Sequence, residues 1–127
     1  MQTDTHFFFY KSALSQWHMV DFYVEGIKFS CGEAYMMAKK ALLFDDINSY
    51  TKIMNIKHPR DMQLLGRQIK YYNQQIWDAH KYEIVYNGNY ARFKQNDDQW
   101  ELLKSTGNLE LVEGSPIDKI WRRRIKR

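Results

Sequence analysis

The stretch that most constrains the fold runs from Phe29 to Phe44 and carries charged residues within an apolar helical pattern. Five of its residues follow one another at spacings of one, three and four, which places them on one face of a helix. That face consists of Glu33, Met37, Lys40, Ala41 and Phe44. The pattern predicts a helix that packs on the core and holds an acid and an amine in a half-buried position.

Two interpretations of this acid and amine are open at the level of the pattern. Ser30 and Glu33 have the S-x-x-E spacing of a capping box, in which each side chain accepts a hydrogen bond from the other residue's amide. Lys40 would then be a lysine whose aliphatic stem covers apolar surface. Alternatively, an acid and an amine held close together in an apolar setting can carry out chemistry.

The remaining pattern predicts an α+β fold, mainly helical with a few short strands, in a single domain over residues 1–127. Residues 7–10 read as a buried strand, and 22–24 and 27–29 as a hairpin around Glu25-Gly26 that leads into the central helix. A helix is expected at residues 47–55. A second helix should begin at Pro59, with one apolar side that reaches Tyr72, and a third should run from Asp97 to a C-cap at Gly107. Gly66 inside the second of these suggests either a close backbone approach or a ligand.

The segment from Trp77 to Tyr86 fits two structures. Its alternation before Asn87-Gly88 is typical of a β-hairpin, whereas a stripe from Trp77 to Gln95 at helical spacing is typical of one long helix.

Composition excludes several classes of protein. With 44% hydrophobic residues the chain is globular, and no apolar run approaches the roughly 20 residues of a membrane span, so we expect a soluble, cytoplasmic protein. The single cysteine, Cys31, has no partner for a disulfide or zinc site. It is expected to be a small buried or capping-turn residue, and a nucleophile is the alternative. The net charge of +4 comes from a basic tail at residues 122–127, which is either solvated or contacts the phosphates of a nucleic acid.

Short segments spread over nearly the whole chain resemble the YbiA-like proteins, also called the NADAR family. The matching segments are, in order, Phe9-Tyr10, Leu14-Ser15-Gln16-Trp17, Gly26-Ile27-Lys28-Phe29-Ser30, Glu33-x-Tyr35-Met36-x-x-Lys39-Lys40-Ala41, Pro59-Arg60, Leu65-Gly66-Arg67, Trp77, Ala91-Arg92-Phe93-x-Gln95, Leu102-Leu103-x-x-Thr106-Gly107, Leu111-Val112-Glu113 and Ser115-Pro116-x-Asp118-x-x-Trp121. In that family the Ala91-Arg92-Phe93 segment lies in a helix, so we favour the long helix over the hairpin.

The resemblance implies an N-glycosidase without a metal or other cofactor. Similar proteins hydrolyse the C–N glycosidic bond of ribosylamino-pyrimidine phosphates from early riboflavin synthesis, or release ADP-ribose from modified guanine. The implied partners are therefore a phosphoribosyl or ADP-ribosyl small molecule or an ADP-ribosylated nucleic acid, and not a membrane.

The matched positions suggest a division of roles. Glu33 and Asp118 are candidate acids for the departing amine, and Lys40 is the candidate nucleophile, since Lys39 points about 100° away on the helix. The candidate substrate-binding residues are Ser15, Gln16, Trp17, Arg67, Trp77 and Trp121. Arg67 suits a phosphate, although an ion pair with Glu113 is an alternative.

The ending departs from the family pattern, which continues after Trp121 with a glycine-containing loop and a final amphipathic helix. This departure leaves open a second function, a non-catalytic module that binds ADP-ribose or a related nucleotide. It also predicts an exposed apolar patch that would favour a homodimer.

Overall fold

Residues 15–105, which the computed structural model describes, form a two-stranded antiparallel sheet followed by five helices. The elements are β1 (Phe22–Val24), β2 (Ile27–Phe29), α1 (Gly32–Leu43), α2 (Ile47–Asn55), α3 (Pro59–Gly66), α4 (Gln74–Gln95) and α5 (Asp97–Ser105). The α+β, mainly helical class predicted from the sequence is confirmed. The strand predicted at residues 7–10, the C-cap at Gly107 and the segment that carries Asp118 and Trp121 lie outside the described residues.

The predicted hairpin is confirmed, with Phe22 opposite Phe29 and Val24 opposite Ile27. Glu25 and Gly26 both have positive φ, 52° and 82°, as a tight two-residue hairpin turn requires. The outward-facing backbone of β1 is covered by α4, because the side-chain amide of Gln95 donates to the carbonyl of Tyr23 and accepts from its amide, each at 2.7 Å. The hairpin is thereby held against the end of the longest described helix.

Helix α1 is the centre of the described core and packs against α2, α3, α4 and β2. Two glycines on its neighbours permit this close packing. A Cβ atom on Gly66 would collide with Sδ of Met37, and a Cβ atom on Gly88 would lie 2.6 Å from Cδ2 of Tyr35. The close approach predicted at Gly66 is therefore confirmed.

Helix α3 ends earlier than its apolar pattern predicted. It stops at Gly66, and the amide of Lys70 donates to Asp46 Oδ2 at 2.9 Å instead of continuing the helical ladder. Tyr71 has a positive φ of 62°, which is incompatible with a right-handed helix. The prediction that one apolar side of this helix extends to Tyr72 was wrong. A hydrogen bond from Lys70 to Asp46, at the junction of α1 and α2, replaces the next helical turn.

The long helix preferred for the ambiguous segment is confirmed, since α4 runs unbroken through Asn87 and Gly88. Asn73 begins it by accepting a hydrogen bond from the amide of Ile76 at 3.0 Å. Its inward face differs in part from the predicted stripe, since Tyr82, Arg92 and Phe93 are buried whereas Gln95 is exposed. Among residues 15–105 no helix is both long and apolar enough to cross a membrane.

Candidate active site

The capping-box interpretation of Ser30 and Glu33 was wrong. Helix α1 begins at Gly32 after Cys31, and no side chain caps it. The amide of Glu33 instead donates to the backbone carbonyl of Gln16 at 2.9 Å, so an earlier turn of the chain satisfies this end of the helix. This arrangement leaves the carboxyl group of Glu33 available for contacts other than a cap.

The turn at residues 15–17 lies across the start of α1. Ser15 Oγ accepts a hydrogen bond from the amide of Trp17 at 3.0 Å, which closes the turn. The side chain of Trp17 also reaches the carboxyl group of Glu33, where it lowers the pKa of this acid. Two contacts, one to the Glu33 backbone and one to its side chain, therefore come from the same turn.

Glu33 is an acid in an apolar setting, with only 3% of its surface exposed. Burial raises the pKa of Glu33 from its ordinary 4.5 to about 7, although Trp17 and the positive charges of Lys40 and Arg67 act in the opposite direction. A carboxyl group with this pKa exists in both protonation states near neutral pH, which suits a general acid and base.

Lys40 lies two helical turns after Glu33, and its ammonium group is flanked by aromatic rings. Nζ is 4.7 Å from the ring centroid of Tyr72 and 5.2 Å from that of Trp77. Burial lowers the pKa of Lys40 and the charge of Arg67 lowers it further, while Glu33 opposes both effects. A lysine whose pKa is lowered has a larger neutral, nucleophilic fraction near pH 7.

Lys39 occupies a different face of α1. Its Nζ is 5.7 Å from the ring centroid of Tyr35, and it lines a groove with Val24, Leu42 and Tyr50. The helical argument that separated Lys40 from Lys39 thus matches the observed surroundings of the two amines.

Arg67 follows the last residue of α3 and is exposed. The charge of Arg67 lowers the pKa of both Glu33 and Lys40. An exposed guanidinium whose charge acts on the buried acid and the half-buried amine is available to an anionic group arriving from solvent. Glu113, its alternative partner, lies outside the described residues.

Tyr72 is a member of this site that the sequence did not single out. Its ring centroid lies 5.3 Å from that of Phe44, the residue that follows α1, and 4.7 Å from Nζ of Lys40. Asp46 positions the segment that carries it, because this carboxylate caps α2 through Ser49 and also accepts from the amide of Lys70. No sequence signal marked Tyr72, because the positive φ of Tyr71, which changes the chain direction just before it, is visible only in the fold.

Replacing Asp46 with alanine is expected to lower thermal stability in a pH-dependent way. The hydrogen bonds from Lys70 and Ser49 lower the pKa of Asp46 from 3.8 to about 2, so its stabilising effect is present above pH 3.8 and is lost as the pH falls through about 2. The difference in melting temperature between wild type and D46A should be largest near neutral pH and shrink in acid. A difference that stays constant down to pH 2, followed by circular dichroism, would contradict this assignment.

The structure brings together seven of the nine predicted site residues around the start and one face of α1. Trp17, Lys40 and Arg67 each lower the pKa of Glu33, and Trp77 lies beside Lys40. Ser15 and Gln16 form the turn, with the Gln16 side chain directed at Gly32 and Arg92. Asp118 and Trp121 lie outside the described residues.

Two other candidate features of residues 15–105 are a metal-binding group and a reactive cysteine. No group of three or more His, Cys, Asp or Glu side chains in this range is arranged to hold a metal ion. Cys31 is fully buried, as predicted, with Sγ 3.7 Å from Sδ of Met62, and burial raises the pKa of its thiol. A buried thiol of this kind is a poor nucleophile.

Comparison with known proteins assigns this arrangement to a family. Residues 7–126 match the NADAR domain. The chain is 42% identical to a protein named N-glycosidase R617 from Acanthamoeba polyphaga mimivirus, over 95% of this chain and 79% of that protein. It is 37% identical to Protein irg-1 of Caenorhabditis elegans over 75% of this chain, and the match spans 46% of the nematode protein.

Proposed function

Because this chain belongs to the NADAR family, we propose that it is an N-glycosidase that hydrolyses the C–N bond between a ribose and an amine-bearing base. The observation that carries the proposal is the placement of Glu33 and Lys40 two turns apart on α1, where burial raises the pKa of the acid to about 7 and lowers the pKa of the amine. The name of the mimiviral relative supports the same reaction class.

Glu33 supplies the proton that the departing nitrogen needs. When the ribosyl C–N bond breaks, its electron pair moves to the nitrogen, and protonation by the carboxylic acid turns this atom into a neutral amine. The apolar surroundings that raise the pKa of Glu33 keep a substantial fraction protonated at neutral pH.

Lys40 supplies a nucleophile for the anomeric carbon. With the ribose in its ring-opened imine form, the neutral amine adds to this carbon, and the base leaves as Glu33 transfers its proton. The resulting Schiff base is hydrolysed by water, which adds to the carbon and gives a proton to the Glu33 carboxylate. Lys40 then departs as an amine, and the ribose regains its aldehyde.

The charges and rings near Glu33 and Lys40 support the proposed substrate class. Arg67 is the proposed phosphate contact, since a guanidinium can bind a phosphate through two hydrogen bonds. Trp17 is partly exposed and Trp77 is buried beside Lys40, which suits rings that flank a ribose or base. Ser15 and Gln16 are proposed contacts for ribose hydroxyls or phosphate, Asp118 is a proposed second acid, and Trp121 is a proposed wall of the site.

We propose two substrate types, ribosylamino-pyrimidine phosphates of riboflavin synthesis and ADP-ribosylated guanine. The test is to incubate the purified protein with each, the second within DNA, and to follow release of base or ADP-ribose by mass spectrometry. Release that depends on Glu33 is the expected result. Folded protein that releases neither product contradicts the proposal, and tight binding without release supports the nucleotide-binding module instead.

A further inference from the structure

Arg92 is a fully buried arginine on α4 that reaches the turn at residues 15–17. Its Nη1 donates to the backbone carbonyl of Ser15, and Nη2 donates to Gln16 Oε1 at 3.3 Å and to Asn89 Oδ1 at 3.3 Å. Its guanidinium also lies 4.4 Å from the ring centroid of Phe93. One side chain thus joins the long helix to two consecutive residues of a turn more than seventy positions earlier.

Burying a guanidinium is costly, because the group loses its hydration. Burial lowers the pKa of Arg92 to about 10, so the side chain stays positively charged at neutral pH. Lysine cannot reproduce its contacts, since a single ammonium lacks the planar fork that reaches several acceptors at once. The hydrogen bonds from Arg92 to the turn offset part of this desolvation cost.

The turn that Arg92 holds is the one that touches Glu33. The carbonyl of Gln16 accepts a hydrogen bond from the Glu33 amide, and the side chain of Trp17 reaches the Glu33 carboxyl group and lowers its pKa. The turn also packs closely on α1, because a Cβ atom on Gly32 would collide with the Gln16 side-chain amide and approach Gln16 Cα to 3.2 Å. The position of the turn therefore governs how well the acid is enclosed.

We infer that Arg92 is a positioning residue that clamps the turn at residues 15–17 over Glu33 and so keeps this acid dry and correctly oriented for proton transfer. The catalytic part of this inference rests on the proposed N-glycosidase function. Its structural part, the control of the Glu33 environment, does not.

The charged and titratable groups that face Glu33 within the described residues come from three places. Lys40 lies on α1, Arg67 follows α3, and Cys31 precedes α1, while Trp17 acts from the turn. Of these influences burial is the largest. Loosening the turn admits water to the carboxyl group, so the pKa of Glu33 should fall from about 7 toward 4.5 even though the effect of Trp17 is weakened as well.

The experiment compares wild type with R92K and G32A. R92K keeps the charge but loses the fork, and G32A leaves Arg92 intact while its new methyl group displaces Gln16 from α1. The Glu33 carboxyl group is titrated by carbon-13 NMR of glutamate-labelled protein, with E33Q used for assignment, and kcat and KM are measured across pH. Q95A is the matched control, because it removes two hydrogen bonds of α4 to the hairpin without touching the turn.

We expect the Glu33 pKa to fall by about half a unit or more in R92K and G32A, with kcat reduced about tenfold and KM changed less. Q95A should lower the melting temperature but leave the Glu33 pKa as in wild type. Because G32A tests the same clamp from the other side, failure of R92K to fold does not remove the test. A wild-type Glu33 pKa in folded G32A or R92K overturns the inference, whereas a shifted pKa in a protein without turnover supports the clamp and contradicts the proposed function alone.

Discussion

Glu33→Gln is expected to lower kcat by about a thousandfold, because glutamine has nearly the same shape as glutamate but cannot donate the proton that the leaving nitrogen requires. KM should change much less, since the substituted group acts mainly in the transition state. The measurement is steady-state release of base or ADP-ribose with whichever substrate wild type cleaves.

The same variant is expected to be more stable than wild type in mildly alkaline solution. The folded-state pKa of Glu33, about 7, lies above the ordinary 4.5, so wild type is most stable below pH 4.5 with respect to this group and loses that stability as the pH rises through 7. The accumulated loss is up to about 3 kcal/mol, which E33Q does not incur.

Urea denaturation at several pH values checks this result. The unfolding free energies of the two proteins should be similar near pH 4.5, and the advantage of E33Q should grow between pH 4.5 and 7 and stay constant above that. Both effects in one variant, lost turnover with gained stability, would be hard to reconcile with a capping or packing role. An E33Q protein that is active, or that is less stable than wild type at every pH, would refute the assignment of Glu33 as a buried general acid.

Lys40→Met is expected to abolish measurable turnover while the fold is retained. Methionine preserves an unbranched apolar stem that can pack against Tyr72 and Trp77, but it has no amine to attack the anomeric carbon. We expect a loss of about a thousandfold or more in kcat, as for removal of a covalent nucleophile. Circular dichroism and the melting temperature verify that K40M is folded.

A trapping experiment gives a second measurement for Lys40. Borohydride added during turnover should reduce the Schiff base and leave a ribosyl-phosphate or ADP-ribosyl mass on the wild-type protein, mapped by peptide mass spectrometry to Lys40. K40M should show no adduct. Turnover by wild type without any trapped adduct would favour direct attack by water and would reduce Lys40 to an electrostatic role.

Lys39→Met is the matched control for K40M, because the two lysines are adjacent on α1 but face different surroundings. The Lys39 ammonium lies over Tyr35 and borders the groove near Val24, away from the aromatic pair at Lys40. K39M should therefore retain activity close to wild type and form the adduct. Equal losses in K39M and K40M would indicate that the substitutions act through general damage to α1.

Local sequence signals were sufficient for the hairpin and for α1, because each of these depends on residues close together in the chain. The hairpin followed from Glu25-Gly26, a turn that needs positive φ, and α1 followed from its spacing of three and four. The choice of Lys40 over Lys39 needed only the pitch of a helix. The choice of a long α4 over a hairpin, by contrast, depended on the family resemblance.

Local signals failed where a distant part of the chain supplied the partner. Ser30 and Glu33 have the spacing of a capping box, yet the carbonyl of Gln16 takes the Glu33 amide. The apolar pattern of α3 continued to Tyr72, yet Asp46 captures the amide of Lys70. In both cases a hydrogen bond across the fold replaced one that the local pattern favoured.

The sequence alone thus specified the central helix, its acid and its amine, because helical periodicity is a local property of the chain. Their chemical state was decided by tertiary structure, since desolvation depends on what covers a group. Burial brings the pKa of Glu33 to about 7 and lowers that of Lys40, and neither effect is encoded in the spacing of the two residues. The contacts of Arg92 were likewise decided by tertiary structure, because they form only where α4 meets residues 15–17.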